Sequence, residues 1–125
     1  MSNNSIRSFR ELKTWQEGYS LVLLIYQLTK EFPKDEQFGI TSQIRRAACS
    51  VVANIAEGFG RHYPKDKARF YYQARGSLIE VENFILISNG LNYVDEMTRE
   101  QLLVSTSEAG KLINGLIRST LHLTH

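Results

Sequence analysis

The sequence predicts an all-α chain folded as an antiparallel up-down-up-down four-helix bundle. Three observations carry this. Valine and isoleucine fall at helical spacing, and no alternating run of the kind that makes a half-buried strand occurs. The chain has only two prolines, Pro33 and Pro64, and both stand where a helix begins. Four periodic segments, each of about 20 residues or more, are separated by short breaks. At 125 residues, 42% hydrophobic and 22% charged, the chain is long enough for one domain with its own core.

Met1 to Ser8 is polar and reads as a disordered tail, leaving residues 9–125 as the domain. The first helix is expected from Phe9 to Glu31, with Leu12, Trp15, Tyr19, Val22, Leu23 and Tyr26 as its core stripe. Leu21, Leu24 and Leu28 form a second apolar line. The run from Leu21 to Tyr26 is therefore apolar nearly all round, as in a helix buried twice. In a small bundle the second burial comes from another copy of the chain.

Phe32-Pro33 ends that helix, because the residue before a proline is pushed out of the α region. The second helix begins between Asp35 and Thr41 and ends near Gly58-Phe59-Gly60, whose glycines are expected to supply a left-handed cap. The third runs from Pro64 to Gly90, with Phe70, Ala74, Ser77, Leu78, Val81, Phe84 and Ile85 inward. Tyr72, Ile79 and Leu86, spaced by seven, make a second apolar line and a second expected subunit contact. Asn89 to Asn92 ends it. The fourth runs from Asp95 to Leu121, with Leu102, Ala109, Leu112, Ile113, Leu116 and Ile117 inward and a polar side to water. Periodicity leaves open whether the first and third helices are diagonal or adjacent.

The second helix carries the most informative pattern. Ile40, Ile44, Ala47, Ala48, Val51, Val52, Ile55 and Phe59 share its apolar side. Gln43, Arg46, Ser50, Asn54 and Glu57 share a polar stripe roughly 80° wide. Such a stripe can close on itself as a hydrogen-bond network, with Glu80 of the third helix as a further member, or it can face a ligand. Glu57 is expected as the counter-charge of Arg46 or of an arginine on a neighbouring helix.

Net charge is only +2, but it is unevenly spread. Residues 41–76 hold seven cations (Arg45, Arg46, Arg61, Lys65, Lys67, Arg69 and Arg75) against Glu57 and Asp66. Interleaved with His62, Tyr63, Phe70, Tyr71 and Tyr72, these cations offer phosphate neutralisation and base stacking. Arg45, Arg61, Lys65, Lys67, Arg69 and Arg75 are the candidate nucleic-acid contacts, and RNA or DNA is the candidate partner. The competing reading pairs Arg46 and Arg75 with Glu57 or Glu80 and puts part of the aromatic set in the core.

No catalytic constellation emerges. His62, His122 and His125 lack the Glu-x-x-His or His-x-x-x-His spacing of a bundle metal site. Glu80 and Glu82 point to different sides of one helix. The glycines at 58, 60 and 76 form no phosphate loop. Cys49, the only cysteine, is expected as a packed thiol. The reading is a protein without enzymatic activity, metal or cofactor. A single cysteine, no secretory signal and no membrane-length apolar run point to the cytoplasm.

The chain resembles the bacterial four-helix-bundle family of 23S rRNA intervening-sequence (S23-like) proteins. The residues that carry the resemblance are Leu12, Trp15-Gln16, Tyr26, Phe32-Pro33, Glu36 and Phe38-Gly39. More specific are Gln43-Ile44-Arg45-Arg46-Ala47, Ser50 and Asn54-Ile55-Ala56-Glu57-Gly58. Ala74-Arg75-Gly76-Ser77 and Glu80 complete the set. The resemblance implies a ring-like homopentamer of antiparallel bundles and attaches no catalytic residues. A related group resembles the accessory proteins of diversity-generating retroelements, which bind nucleic acid and a reverse transcriptase. The sequence therefore leaves two roles: a homo-oligomer that binds structured nucleic acid, or an interaction scaffold for a partner protein, a reverse transcriptase being one example.

Overall fold

A computed structural model of the chain describes residues 6–122. Among these, four α-helices and two short 3-10 turns account for the regular structure, and there is no strand. The helices are α1 (Lys13–Thr29), α2 (Ile40–Gly60), α3 (Pro64–Gly90) and α4 (Glu96–His122). α1 packs on α2 and α4, and α3 packs on α2 and α4. α1 and α3 do not touch, so they are diagonal. None of the four is long and apolar enough to cross a membrane.

One continuous core runs through all four helices. Leu21 and Ile25 of α1 meet Ile44, Val51 and Ile55 of α2, Leu78, Val81 and Ile85 of α3, and Leu102, Ile113 and Ile117 of α4. Burial of such side chains stabilises each by about 1.5–3 kcal/mol relative to exposure. Individual helices of this length would otherwise be marginal in water.

The first helix differs from expectation. The chain enters through a 3-10 turn at Phe9–Glu11, capped by Ser8, whose hydroxyl accepts the Arg10 amide at 3.2 Å. Of the expected tail, residues 1–5 lie outside the described residues, while Arg7 donates its amide to Glu11 Oε1 at 3.0 Å. In α1 the core stripe is Thr14, Gly18, Leu21, Ile25 and Thr29. Leu21 thus belongs to the core rather than to a second face, and Leu28 packs against the core. Tyr19, Leu23 and Tyr26, expected inside, are exposed on one flank, and Leu24 is exposed on the other. Gly18 sets this phase: a Cβ there would stand 2.8 Å from Val52 Cγ1, so only glycine lets α1 approach α2 on this side.

α2 and α3 match their expected limits. No glycine among the described residues has positive φ, so Gly58 and Gly60 do not act as left-handed caps. Arg61 ends α2 in extended backbone instead. Gly58 is required for a different reason: a Cβ there would meet Tyr71 Cε1 at 2.6 Å and the Lys67 carbonyl at 3.0 Å. Tyr71 is the buried aromatic of α3, whereas Phe70, expected in the core, is only half-buried. After α3 the reversal falls at Asn92, the single non-glycine residue with positive φ among those described (66°). Asp95 then caps α4 by accepting the Thr98 amide at 2.8 Å, which also holds its carboxyl below the usual value.

The two connections on either side of α2 and α3 are clasped together. Glu36 Oε1 accepts the Ile40 amide at 3.3 Å, and its Oε2 accepts the Tyr93 hydroxyl at 2.7 Å. Phe32 is buried beside Tyr93, with ring centroids 5.3 Å apart.

Candidate nucleic-acid interface

The cations of the α2–α3 turn are engaged within the chain. Asp66, on the first turn of α3, accepts Arg69 at 2.8 Å and lies 3.7 Å from Arg61. Arg61 also pairs with Glu57 at 3.0 Å. Both guanidinium groups stack on the Phe70 ring from 4.6 Å (Arg61) and 4.4 Å (Arg69). Phe70 is thus the platform of an arginine pair and not a face open to a base. Lys67 turns back to α2, where its ammonium donates to the Phe59 carbonyl at 2.6 Å and the Gly58 carbonyl at 3.4 Å. A lysine on the last carbonyls of a helix satisfies acceptors that have no helical partner. Burial lowers the Lys67 pKa. Lys65 alone of this group is exposed with no hydrogen bond or ion pair.

The other two candidates meet neutral partners. Arg75 donates to the Asn114 amide oxygen at 3.0 Å and lies 4.8 Å over Tyr72. Arg45 donates Nε–H to Thr29 Oγ1 at 2.8 Å and lies 4.6 Å over Tyr26. Its neighbour Arg46 is exposed and makes no ion pair. Arg45 and Arg46 line a cleft of about 360 Å³ with Tyr26, Gln37, Phe38, Thr41 and Ser42. Phe38, on its rim, is 90% exposed. At the α1–α2 end, therefore, two guanidinium charges stand beside exposed aromatic rings without a carboxylate on them.

The polar stripe of α2 divides. Its middle closes onto α3, where Ser50 and Ser77 share a hydroxyl hydrogen bond of 2.8 Å. Asn54 donates to the Ser50 carbonyl at 2.9 Å and to its hydroxyl at 3.1 Å. Its ends do not join: Gln43, Arg46 and Glu80 are exposed and their side chains make no such bond, and Glu57 serves Arg61 rather than Arg46. Ser77, expected on the inward stripe of the third helix, is the partner that the α2 stripe alone does not reveal, because it sits on another helix. Thr29 gives no signal in the sequence, whereas Asp66, three residues before Arg69, fits an i,i+3 pair.

Cys49 is exposed, not packed, and its sulfur lies 3.7 Å from the Tyr26 hydroxyl. That contact is the largest cause of a raised Tyr26 pKa. Of the expected interface set, Leu24, Tyr72, Ile79 and Leu86 are exposed. Tyr72 and Ile79 border grooves of about 580 Å³ and 320 Å³ along the α3–α4 seam.

A family model described as 23S rRNA-intervening sequence protein matches residues 10–115. The chain belongs to this family. The 23S rRNA-intervening sequence proteins have a solved relative in fold: the 1.70 Å crystal structure of a protein with unknown function from the S23 ribosomal protein family of Bacteroides thetaiotaomicron VPI-5482. It superposes with a TM-score of 0.74 at 20% identity, covering 83% of this chain and 97% of that one. At that identity the likeness speaks for the fold alone. No curated protein matches the chain. Residues that carry the resemblance acquire physical reasons here: Gly58 seats Tyr71, Ser50 meets Ser77, and Glu36 joins two connections.

Proposed function

We propose that the chain is a non-enzymatic assembly module: an antiparallel up-down-up-down bundle that builds a cytoplasmic, ring-like homo-oligomer, a pentamer on the family's precedent. The observation that supports this is the pair of apolar surfaces on opposite sides of the bundle. Tyr19, Leu23 and Tyr26 are exposed on α1, while Tyr72, Ile79 and Leu86 are exposed on α3. Because α1 and α3 are diagonal, one surface cannot cover the other within a single chain. A head-to-tail contact between copies covers both, and such contacts give a ring where the rotation between copies closes. Substituting Ile79→Glu, at a 60% exposed position, tests it. Helicity and monomer stability should hold within about 0.5 kcal/mol, while native mass falls. A parental mass would remove the reading.

The assembled module serves best as a scaffold for a partner protein, since Arg61, Lys67 and Arg69 are occupied by acids and carbonyls of the same chain. Nucleic-acid binding remains the second reading, and Arg45 and Arg46, which have no carboxylate partner, favour it. The family's description, which names a 23S rRNA intervening sequence, points the same way. The test is a salt titration of binding to a mixture of structured RNA and duplex DNA. Steep salt dependence, shallower in Arg45→Ala/Arg46→Ala than in Arg61→Ala/Lys65→Ala/Lys67→Ala/Arg69→Ala, supports phosphate contact at the α1–α2 end. Absence of binding at low salt leaves the scaffold.

A further inference from the structure

A cavity of about 610 Å³ opens at the other end of the bundle, between the N-terminal segment, the α2–α3 turn and the last turns of α4. Its walls are apolar, from Ile6, Leu12, Phe59 and Leu116. Neither the polar stripe nor the basic zone accounts for it. Its size lies within the range of pockets that enclose small organic molecules.

Five polar side chains line the cavity, His62, Lys67, Tyr71, Ser119 and Thr120, and two of them bear most directly on a ligand. Tyr71 lines it and is 2% exposed, and among the described residues its hydroxyl has no hydrogen-bond partner. The hydroxyl oxygen is not among the fully buried atoms left without a partner, so it is open to water or to a ligand in the cavity. Lys67 also lines the cavity. Its ammonium spends two of three N–H donors on the Phe59 and Gly58 carbonyls, so one remains. Among the described residues no carboxylate lines the cavity, and burial keeps the Tyr71 phenol neutral. The Lys67 ammonium thus stands as a full cation on a mostly apolar wall, with the His62 ring and the hydroxyls of Tyr71, Ser119 and Thr120 as its polar neighbours.

We propose that this cavity binds a small amphiphilic carboxylate, its hydrocarbon body against Ile6, Leu12, Phe59 and Leu116 and its carboxylate accepting from Tyr71 and Lys67. A purely apolar ligand would leave the Lys67 ammonium without a counter-charge, and a cationic one would set a like charge against it. The site is independent of assembly and of nucleic acid, because it lies on neither the α1 nor the α3–α4 surface and uses none of the exposed arginines.

The test is a fluorescence titration of the full-length protein with dansyl-undecanoic acid, followed by displacement with decanoate, decanol and decylammonium. Saturable binding is expected, with decanoate displacing about tenfold better than decanol and decylammonium not displacing. Tyr71→Phe should weaken decanoate about threefold to tenfold, and Lys67→Met should erase the preference for carboxylate over alcohol. Ser119→Trp places an indole over the cavity mouth from an exposed position and should abolish binding without touching the core. This variant keeps the test decisive if Tyr71→Phe unfolds. No saturable binding, equal displacement by decanoate and decanol, or full binding in Ser119→Trp would overturn the proposal.

Discussion

The two ends of α2 carry the same kind of residue and put it to opposite use. At the α2–α3 end, Arg61 and Arg69 converge on Asp66 and Lys67 covers the last carbonyls of the helix. At the α1–α2 end, Arg45 and Arg46 meet a threonine hydroxyl, a tyrosine face and solvent, but no acid. Counting cations along residues 41–76 makes the first end look the more basic. The placement of one carboxylate reverses this, because a charge already paired at 2.8 Å gains less from a phosphate than a charge in water without a partner does. The partly exposed ion pairs themselves add little stability. Their effect is on what the surface offers to a partner.

Four substitutions break or sharpen that contrast. Gly58→Ala should have the largest effect, since its methyl group would lie 2.6 Å from the Tyr71 ring and 3.0 Å from the Lys67 carbonyl. A loss of about 1–3 kcal/mol in urea denaturation is expected, with the α2–α3 turn displaced. Asp66→Asn should come next: it removes the shared acid and releases Arg61 and Arg69. Binding to a generic polyanion such as heparin should then strengthen several-fold at low salt, with a steeper salt slope. An unchanged slope would mean that Asp66 is not what silences this end.

Asn54→Leu should cost about 0.5–1 kcal/mol, less than removal of a fully buried network member, because Asn54 is only half-buried and bonds mainly to Ser50 of its own helix. A loss beyond about 3 kcal/mol would indicate that assembly buries the stripe. The smallest effect is a pH dependence. Burial pushes the Tyr71 phenol up to about 12 from 10.0, so the fold favours its neutral form. The stability this contributes is complete below about pH 10 and is lost as pH rises through about 12. Lys67 runs the other way: its lowered value means a penalty that disappears as it deprotonates below 10.5. Tyr71→Phe should therefore lose less stability than the parent between about pH 8 and about pH 11, measured by urea denaturation at each.

Apart from the start of α1, where a 3-10 turn precedes Lys13, the helix limits were legible because Pro64, the Asn89–Asn92 cluster and the Phe32-Pro33 break punctuate the chain strongly. The rotation of α1 was not. From Leu21 to Tyr26 no polar residue sets a phase, and the groups that do set it, Thr14, Gly18 and Thr29, carry no hydrophobic signal. The same logic misplaced Phe70 and Tyr71. Two adjacent aromatics differ by about 100° on a helix, and the choice between them was made by the bare surface of Gly58, which lies on α2. For the candidate interface, the cations were visible as residues but their availability was not. Availability depends on Asp66 and the Phe59 carbonyl approaching in three dimensions.

The Glu36 clasp has a consequence for motion. One carboxylate holds both the amide that opens α2 and the hydroxyl of Tyr93, just before α4. Opening either connection alone would strand that carboxylate's partner on the other. The two connections should therefore open together, as a single cooperative unit in amide hydrogen exchange. The α2–α3 turn, whose contacts lie within its own hairpin, should exchange on a separate schedule.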